Sequence, residues 1–457
     1  MDEITLKNFR CFREEQTARL APLTLLVGEN STGKTSFMAM IRALWDVAYR
    51  RTDPNFKEEP YDLGSFDEIA HHRGGRGGRA ETFEAGFSAR RRETRTDREI
   101  EVATDRPYRF DVKFGRDGTA PVSVVRRFSC DGNWVEEDFT YDEWPPLILL
   151  GTPNGSWVGE INPDPDYDAS PFGVDPDSLD DRQGSGPPTD EDWERLQRLS
   201  RTFDEVREFG RHKQRPYAGA PVRSKPQRTY DPARTTRDPE GDYVPMYLAE
   251  VFFQDKEEWN ELKEALEKFG QASGLFDEIS VKSFGRKASE PFQVRIRKFG
   301  SRIKGPQRNL IDVGYGVSQV LPVVTELFRD RFFPVMFDYT IPPMFLLQQP
   351  EVHLHPSAQA ALGSLFCQVA KPHRQLVIET HSDHLIDRVR MDVRDGTTPL
   401  KPEDVSILFF ERKDLDVRIH SLRIDKEGNI EGAPDGYRNF FLEETARSLW
   451  KRQPIGA

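Results

Sequence analysis

Apolar and polar positions change their rhythm several times along the chain, and each change predicts an element. Ile4-Thr5-Leu6-Lys7-Asn8-Phe9 alternates, as an edge strand does. Leu23-Thr24-Leu25-Leu26-Val27 is almost continuously apolar, which suits a parallel strand covered on both faces. A glycine-rich turn follows, and then Phe37, Ile41, Leu44, Trp45 and Ala48 recur at helical spacing. From about Glu81 to Asp142, short alternating runs broken by Gly, Asp and Pro predict an antiparallel sheet. Asn162 to Thr189 is rich in Asp, Pro, Gly and Ser and reads as a flexible surface insertion. Helical stretches are expected over Glu191 to Phe209 and Asp255 to Phe269, both too short for a long coiled coil. Strands return at Ile279 to Phe284 and Phe292 to Ile296, and a second α/β block runs from about Asn309 to Leu422. No internal repeat is visible.

These patterns divide the chain into three expected parts. Residues 1–150 form an N-terminal lobe with an antiparallel β subdomain, residues 151–285 a helical and irregular insertion, and residues 286–457 a C-terminal lobe. The length of 457 residues supports two or three units and a sizeable core.

Composition narrows the class. Met1-Asp2-Glu3-Ile4 carries neither a basic nor an apolar leader pattern, and the apolar run Phe332 to Gln348 is interrupted by Asp338 and prolines. A membrane location is therefore not expected. Cys11, Cys130 and Cys367 are far apart and form no CxxC pair, which fits a reducing cytoplasm. The net charge of -12 argues against a surface devoted throughout to nucleic acid. Two local basic runs remain candidates for DNA or an acidic partner. One holds Arg73, Arg76, Arg79, Arg90, Arg91, Arg92, Arg95 and Arg98; the other holds Arg211, Lys213, Arg215, Arg223, Lys225 and Arg228. A solvated face balanced by nearby acids is the alternative reading of both.

The strongest chemical signal is Gly28-Glu29-Asn30-Ser31-Thr32-Gly33-Lys34-Thr35, a full G-x-x-x-x-G-K-[ST] between a predicted strand and a predicted helix. Such glycines let backbone N–H groups curl around phosphate oxygens, and the helix N-terminus favours the anion. Lys34 would reach the β- and γ-phosphates of ATP, and the Thr35 hydroxyl would sit on Mg2+. Three later segments carry polar residues at the ends of apolar runs. They are Asp312-Val313-Gly314-Tyr315-Gly316-Val317-Ser318-Gln319, Leu346-Leu347-Gln348-Gln349-Pro350-Glu351-Val352-His353-Leu354-His355-Pro356, and Val377-Ile378-Glu379-Thr380-His381-Ser382-Asp383-His384.

In order and spacing, these four segments resemble the Walker A, signature, Walker B/D-loop and switch-histidine motifs of ABC-type AAA ATPases. The forms QPEVHLHP and ETHSDHLI are similar to the OLD/RecF-like branch. DVGYGVSQVLP and the later DGYRNFF resemble stand-alone anti-phage defence ATPases of the Septu PtuA kind, and APVRSKPQRTY adds a weaker match. The resemblance implies an α/β fold, a P-loop NTPase with an ABC-like head, an antiparallel β lobe and a helical insertion. It implies that Gly28, Asn30, Ser31, Thr32, Gly33, Lys34, Thr35 and Ser36 hold ATP and Mg2+. Gly316 and Ser318 would reach the γ-phosphate of ATP on a second copy, His381 would sense that phosphate, and His353 and His355 would lie where the dimer crosses. The implied unit is an ATP-sandwich homodimer or a higher oligomer, acting on an effector such as a nuclease, or on DNA.

One departure stands out. Gln348 and Gln349 occupy the two positions that carry carboxylates in the resembled family, the first beside Mg2+ and the second beside the attacking water. An amide positions water but is no useful base. ATP binding and dimer closure are thus firmer expectations than fast hydrolysis, with Glu351 as one candidate substitute. Four histidines (353, 355, 381, 384) lack the partners a zinc site needs. Leu63 to Glu68 falls where a Q-loop would be expected, but no glutamine is assignable there. Asp414 and Asp416 sit in a short polar turn, with no further strand–helix units to make a nuclease. A RecF/SMC-like DNA-repair ATPase and an ATP sensor with little turnover are the rival functions.

Overall fold

The computed structural model describes residues 1–75, 77–90, 107–140, 146–161, 171–182, 184, 186–211, 214–232, 237–285, 290–329, 344–434 and 437. The chain opens with β1 (Glu3–Lys7), β2 (Gln16–Arg19) and β3 (Leu23–Gly28), then α1 (Lys34–Trp45) and a single turn α2 (Phe66–Ile69). Strands β4 (Phe83–Arg90), β5 (Pro107–Asp117), β6 (Ala120–Cys130), β7 (Asn133–Asp138), β8 (Leu147–Thr152), β9 (Gly155–Gly159) and β10 (Asp180–Asp181) follow. Next come α3 (Asp190–Arg211), β11 (Tyr217–Gly219), α4 (Val244–Gln254), α5 (Lys256–Ser273), β12 (Glu278–Ser283), β13 (Phe292–Arg297), β14 (Arg308–Asn309) and α6 (Tyr315–Arg329). The last elements are β15 (Met344–Gln348), α7 (Pro356–Val369), β16 (Gln375–Glu379), α8 (Asp383–Arg394), β17 (Val405–Lys413), β18 (Asp416–Ile424) and β19 (Ile430–Glu431).

Two large sheets organise the molecule. A seven-stranded sheet has the order β11-β15-β16-β3-β17-β18-β19, in which β11, β15, β16, β3 and β17 run parallel. Its central strands are apolar on both faces because α1 covers one side and α5, α6 and α7 the other. A nine-stranded antiparallel sheet, order β10-β9-β8-β7-β6-β5-β4-β1-β2, packs its aromatic face against α1 through Phe83, Phe87, Phe110 and Phe114. A small sheet, β12-β13-β14, sits on the α4–α5 side, with Ile279, Val281, Val294 and Ile296 facing inward. This is the α/β class with a P-loop turn, an antiparallel lobe and a helical insertion that the patterns predicted.

Several expectations shift in detail. The boundary at 150 falls inside β8, and the antiparallel sheet continues through β9 and β10. The expected flexible insertion is in part ordered. Residues 162–170 lie outside the described residues, but Pro171 and Val174 are buried and β10 pairs with β9, because the loop returns to cover the apolar end of the sheet. Helix α4 had no separate prediction; its Val244, Tyr247, Leu248 and Val251 are buried. No helix among the described residues is long and apolar enough to cross a membrane.

Candidate nucleotide site

The site forms at the carboxyl ends of the parallel strands, the edge at which open α/β sheets bind ligands. β3 ends in Gly28, whose φ is 142°; a Cβ there would lie 2.6 Å from the carbonyl oxygen of Phe410 on the neighbouring β17. Gly33 closes the loop at φ 86°, and a Cβ on it would meet the Cys11 Sγ at 2.6 Å. Only glycine fits at either end, so the backbone curls tightly and α1 starts directly at Lys34. Asn30 and Ser31 are exposed at the loop's crest, whereas Thr32 and Ser36 are buried. The Thr32 hydroxyl donates to the Glu29 carbonyl at 2.8 Å, which fixes the turn from inside.

Lys34 is nearly enclosed. Its Nζ donates to the carbonyls of Gly28 (3.1 Å) and Glu29 (2.6 Å) and lies 3.9 Å from Glu379 Oε1. Burial lowers its pKa, and the charges of Glu379 and Glu29 oppose that shift. Thr35 Oγ1 donates to Glu379 Oε2 at 3.0 Å. Glu379, the last residue of β16, was quoted in the sequence but given no role. It is buried, and burial raises its pKa against the lowering effects of Lys34, Thr35 and the Gln349 side chain. The signal for it lay in topology: β16 is inserted between β3 and β15, so the residue at its end touches both the P-loop and the Gln348 strand.

The glutamine pair sits where expected, at the tip of β15. Gln348 is buried, and its Nε2 has no hydrogen-bond partner. Gln349 adopts φ 40°, and its backbone N donates to the Glu379 carbonyl at 2.8 Å. Glu351, the candidate substitute base, is committed elsewhere. Its Oε1 accepts from Thr380 Oγ1 and from the His381 backbone N, both at 2.8 Å, and the residue is only 6% exposed. It ties the loop after β15 to the loop after β16. Burial raises its pKa. His381 itself is exposed, and partial burial together with Lys34 lowers its pKa, which keeps the imidazole neutral at pH 7.

Arg223, a member of the second basic run, is not a surface contact for DNA or an acidic partner. It is 4% exposed, and its guanidinium donates to the Gln348 carbonyl at 3.2 Å. Its backbone N and carbonyl bond the Gln319 side chain of α6, each at 3.3 Å. Burial pushes its pKa down to about 10. Arg223 therefore joins the signature helix to the end of β15. At that helix, the Ser318 hydroxyl donates to the Tyr315 carbonyl at 2.9 Å. A Cβ on Gly316 would lie 3.0 Å from the His353 carbonyl. His353 has φ 66° and its ring lies tilted at 5.8 Å from the Tyr315 ring, while His355 caps α7 by accepting from the Ser357 N.

The donor set fits a nucleotide with Mg2+. Among the described residues, no three His, Cys, Asp or Glu side chains gather to bind a metal unaided. Magnesium characteristically takes one or two protein oxygens and completes its shell with water and phosphate. Thr35 and Glu379 supply such oxygens beside the unpaired Gln348 amide, and Gln348 itself brings only a neutral group.

Residues 23–387 match the family described as "AAA domain, putative AbiEii toxin, Type IV TA system", and residues 400–448 match a family of unknown function, DUF3696. No protein of curated function matches. Among solved structures, the chain is similar to an SMC head bound to the C-winged helix domain of ScpA, at 10% identity and TM-score 0.46, over 93% of this chain and 98% of that one. It is also similar to the SMC head domain from Thermotoga maritima, at 11% identity and TM-score 0.37, over 92% of this chain and 98% of that one. A Pyrococcus furiosus SMC head with an extended coiled coil, bound to the C-terminal domain of ScpA, aligns at 11% identity and TM-score 0.39, over 98% of both chains. With a family match over most of its length, the chain belongs to this AAA-domain family.

Proposed function

We propose that the protein is a magnesium-ATP switch with ATPase activity, which pairs two copies around ATP and uses the paired form to control an effector such as a nuclease in anti-phage defence. The observation that carries this reading is the glycine-shaped loop between β3 and α1, with Lys34 at its base. Backbone amides there face an anion, and Lys34 binds the terminal phosphates. Mg2+, when bound, would neutralise phosphate charge and orient the leaving group. His381 donates a ring N–H to the terminal phosphate, and Gln349 positions water without removing its proton. Turnover is accordingly slow.

Pairing is supported by the separation of the two halves of the site. Among the described residues, no hydrogen bond or ion pair joins 312–318 to 28–36. Ile311 and Tyr315 lie exposed beside the signature. The family description names a toxin–antitoxin system, which is compatible with control of a partner.

The test is direct. Purified protein is expected to bind Mg-ATP and to shift from monomer toward dimer in light scattering. Lys34→Ala should abolish both, and Ser318→Arg should abolish the dimer while sparing ATP binding. Absence of ATP binding at millimolar concentrations would remove the reading. Equal phosphate release by wild type and Lys34→Ala would leave a sensor in place of an enzyme.

A second reading, direct contact with nucleic acid, is favoured by a different surface from the runs singled out in the sequence. Five described arginines of those runs are spent internally, while Lys225 is exposed. Arg73 pairs with Asp416, Arg79 with Asp67, Arg215 with Asp46 and Glu58, and Arg228 with Asp312, while Arg223 is buried. Arg76, Arg91, Arg92, Arg95, Arg98 and Lys213 lie outside the described residues. Between Lys282 and Arg308, by contrast, the chain holds nine Lys or Arg and a single Glu. Lys282, Arg295, Arg302 and Lys304 of this stretch have no salt bridge among the described residues, and Phe299 and Ile303 are exposed beside them.

A further inference from the structure

We propose that Glu379 is the carboxylate of the magnesium site, moved by one strand from the position at which Gln348 stands. The inference rests on the Mg-ATP reading above and names the residue that makes its metal site work.

The sheet register places the two side by side. Gln348 on β15 is the direct parallel partner of Glu379 on β16. Adjacent strands lie about 4.8 Å apart, and paired residues in a parallel ladder project toward the same face. An acid at 379 thus serves nearly the same volume as an acid at 348. β16 also lies directly against β3, so Glu379 is the nearer of the two to the P-loop.

The hydrogen bonding matches the role. A P-loop threonine ligates Mg2+ through an oxygen lone pair, and its proton must then go to an acceptor. Thr35 Oγ1 directs that proton to Glu379 Oε2 at 3.0 Å. The other oxygen, Oε1, faces Lys34 Nζ at 3.9 Å, so the ammonium favours the ionised carboxylate in a buried setting. The Gln349 backbone N ties the two strand tips together by donating to the Glu379 carbonyl at 2.8 Å. Of the nearby acids among the described residues, Glu351 spends Oε1 on Thr380 and His381, with Oε2 buried and unpartnered, and Glu29 is exposed on the loop. The glutamines and Glu379 are therefore complementary: the strand that lost its acid lies beside one that ends in an acid.

The rival explanation is that Glu379 merely neutralises Lys34. The two differ in what the metal does for ATP affinity. ATP binding is to be measured by calorimetry in Mg2+ and in EDTA, for wild type, Glu379→Gln, and the exchange variant Gln348→Glu/Glu379→Gln. Wild type is expected to bind more tightly with Mg2+. Glu379→Gln is expected to lose the gain from Mg2+, read as the ratio of its affinity in Mg2+ to its affinity in EDTA, by about tenfold or more, the usual cost of removing a partner that orients a metal ligand. The exchange variant should recover much of that gain. If Glu379→Gln retains the full gain, the proposal is overturned and the charge-balancing role stands. If Glu379→Gln folds poorly, Glu379→Asp takes its place, since it keeps the charge but withdraws from Thr35; an undiminished gain there also overturns the proposal. Failure of wild type to bind ATP in either condition would instead remove the Mg-ATP reading itself.

Discussion

Single atoms decide the chemistry at the tip of β15. Gln349 lies beside Glu379 and offers water an amide but no base. Gln349→Glu should raise steady-state phosphate release by about 100-fold, the scale of general-base catalysis, provided the dimer still closes. An unchanged rate would show that proton removal does not limit turnover. Glu351 makes a different prediction. Burial holds its folded pKa above the ordinary carboxyl value of 4.5, so the folded state holds its proton after the unfolded state has released it. Stability from this group is therefore present at low pH and declines as pH rises from 4.5 through the folded value. Glu351→Gln keeps an oxygen for Thr380 and His381 and should flatten that decline in melting temperature between pH 4.5 and 7. An identical slope in the variant would contradict the assignment. The P-loop residues were legible in sequence because their chemistry is local. Glu379 and Arg223 were not, because each acquires its role from strands and helices distant along the chain.

At the scale of elements, periodicity located most helices and strands. β3 and α1 were clear because an apolar run, a glycine turn and a helical repeat come in immediate succession. β12 and β13 were clear because their inward residues alternate strictly. α4 was not, since it follows a Pro- and Arg-rich stretch and carries apolar residues on too much of its surface for one face to show. Helix starts were set by side chains. Asp255 accepts from the N–H groups of Glu257 and Glu258 at the start of α5, at 3.0 and 2.9 Å. Asp255→Ala should cost about 1 kcal/mol, read as a lower urea midpoint. Gly28→Ala should do far more, because its Cβ would overlap the Phe410 carbonyl and force β3 and β17 apart. It is expected to lose ATP binding together with thermal stability, and retention of both would refute the steric argument.

For the whole molecule, the distribution of charge matters more than its sum. The chain carries -12 overall, yet gathers nine basic residues between 282 and 308. Arg73, Arg215 and Arg228 of the arginine-rich runs are neutralised across the fold by acids that are remote in sequence, which no reading along the chain reveals. If the small sheet contacts nucleic acid, binding must weaken with salt. Replacing Lys282, Arg295, Arg302 and Lys304 with Ala should lower the slope of log K against log salt by about 3 for duplex DNA. No salt dependence in wild type would dismiss the nucleic-acid reading and leave the effector as the partner.

The insertion of β16 between β3 and β15 has an evolutionary corollary. In a parallel ladder, neighbouring strand tips are interchangeable addresses for a charge. A lineage can exchange acid for amide at one address once the other is filled, without ever passing through an inactive ancestor. If Glu379 serves the metal, an amide at one tip is no sign of a failed site until the neighbouring tip has been read with it.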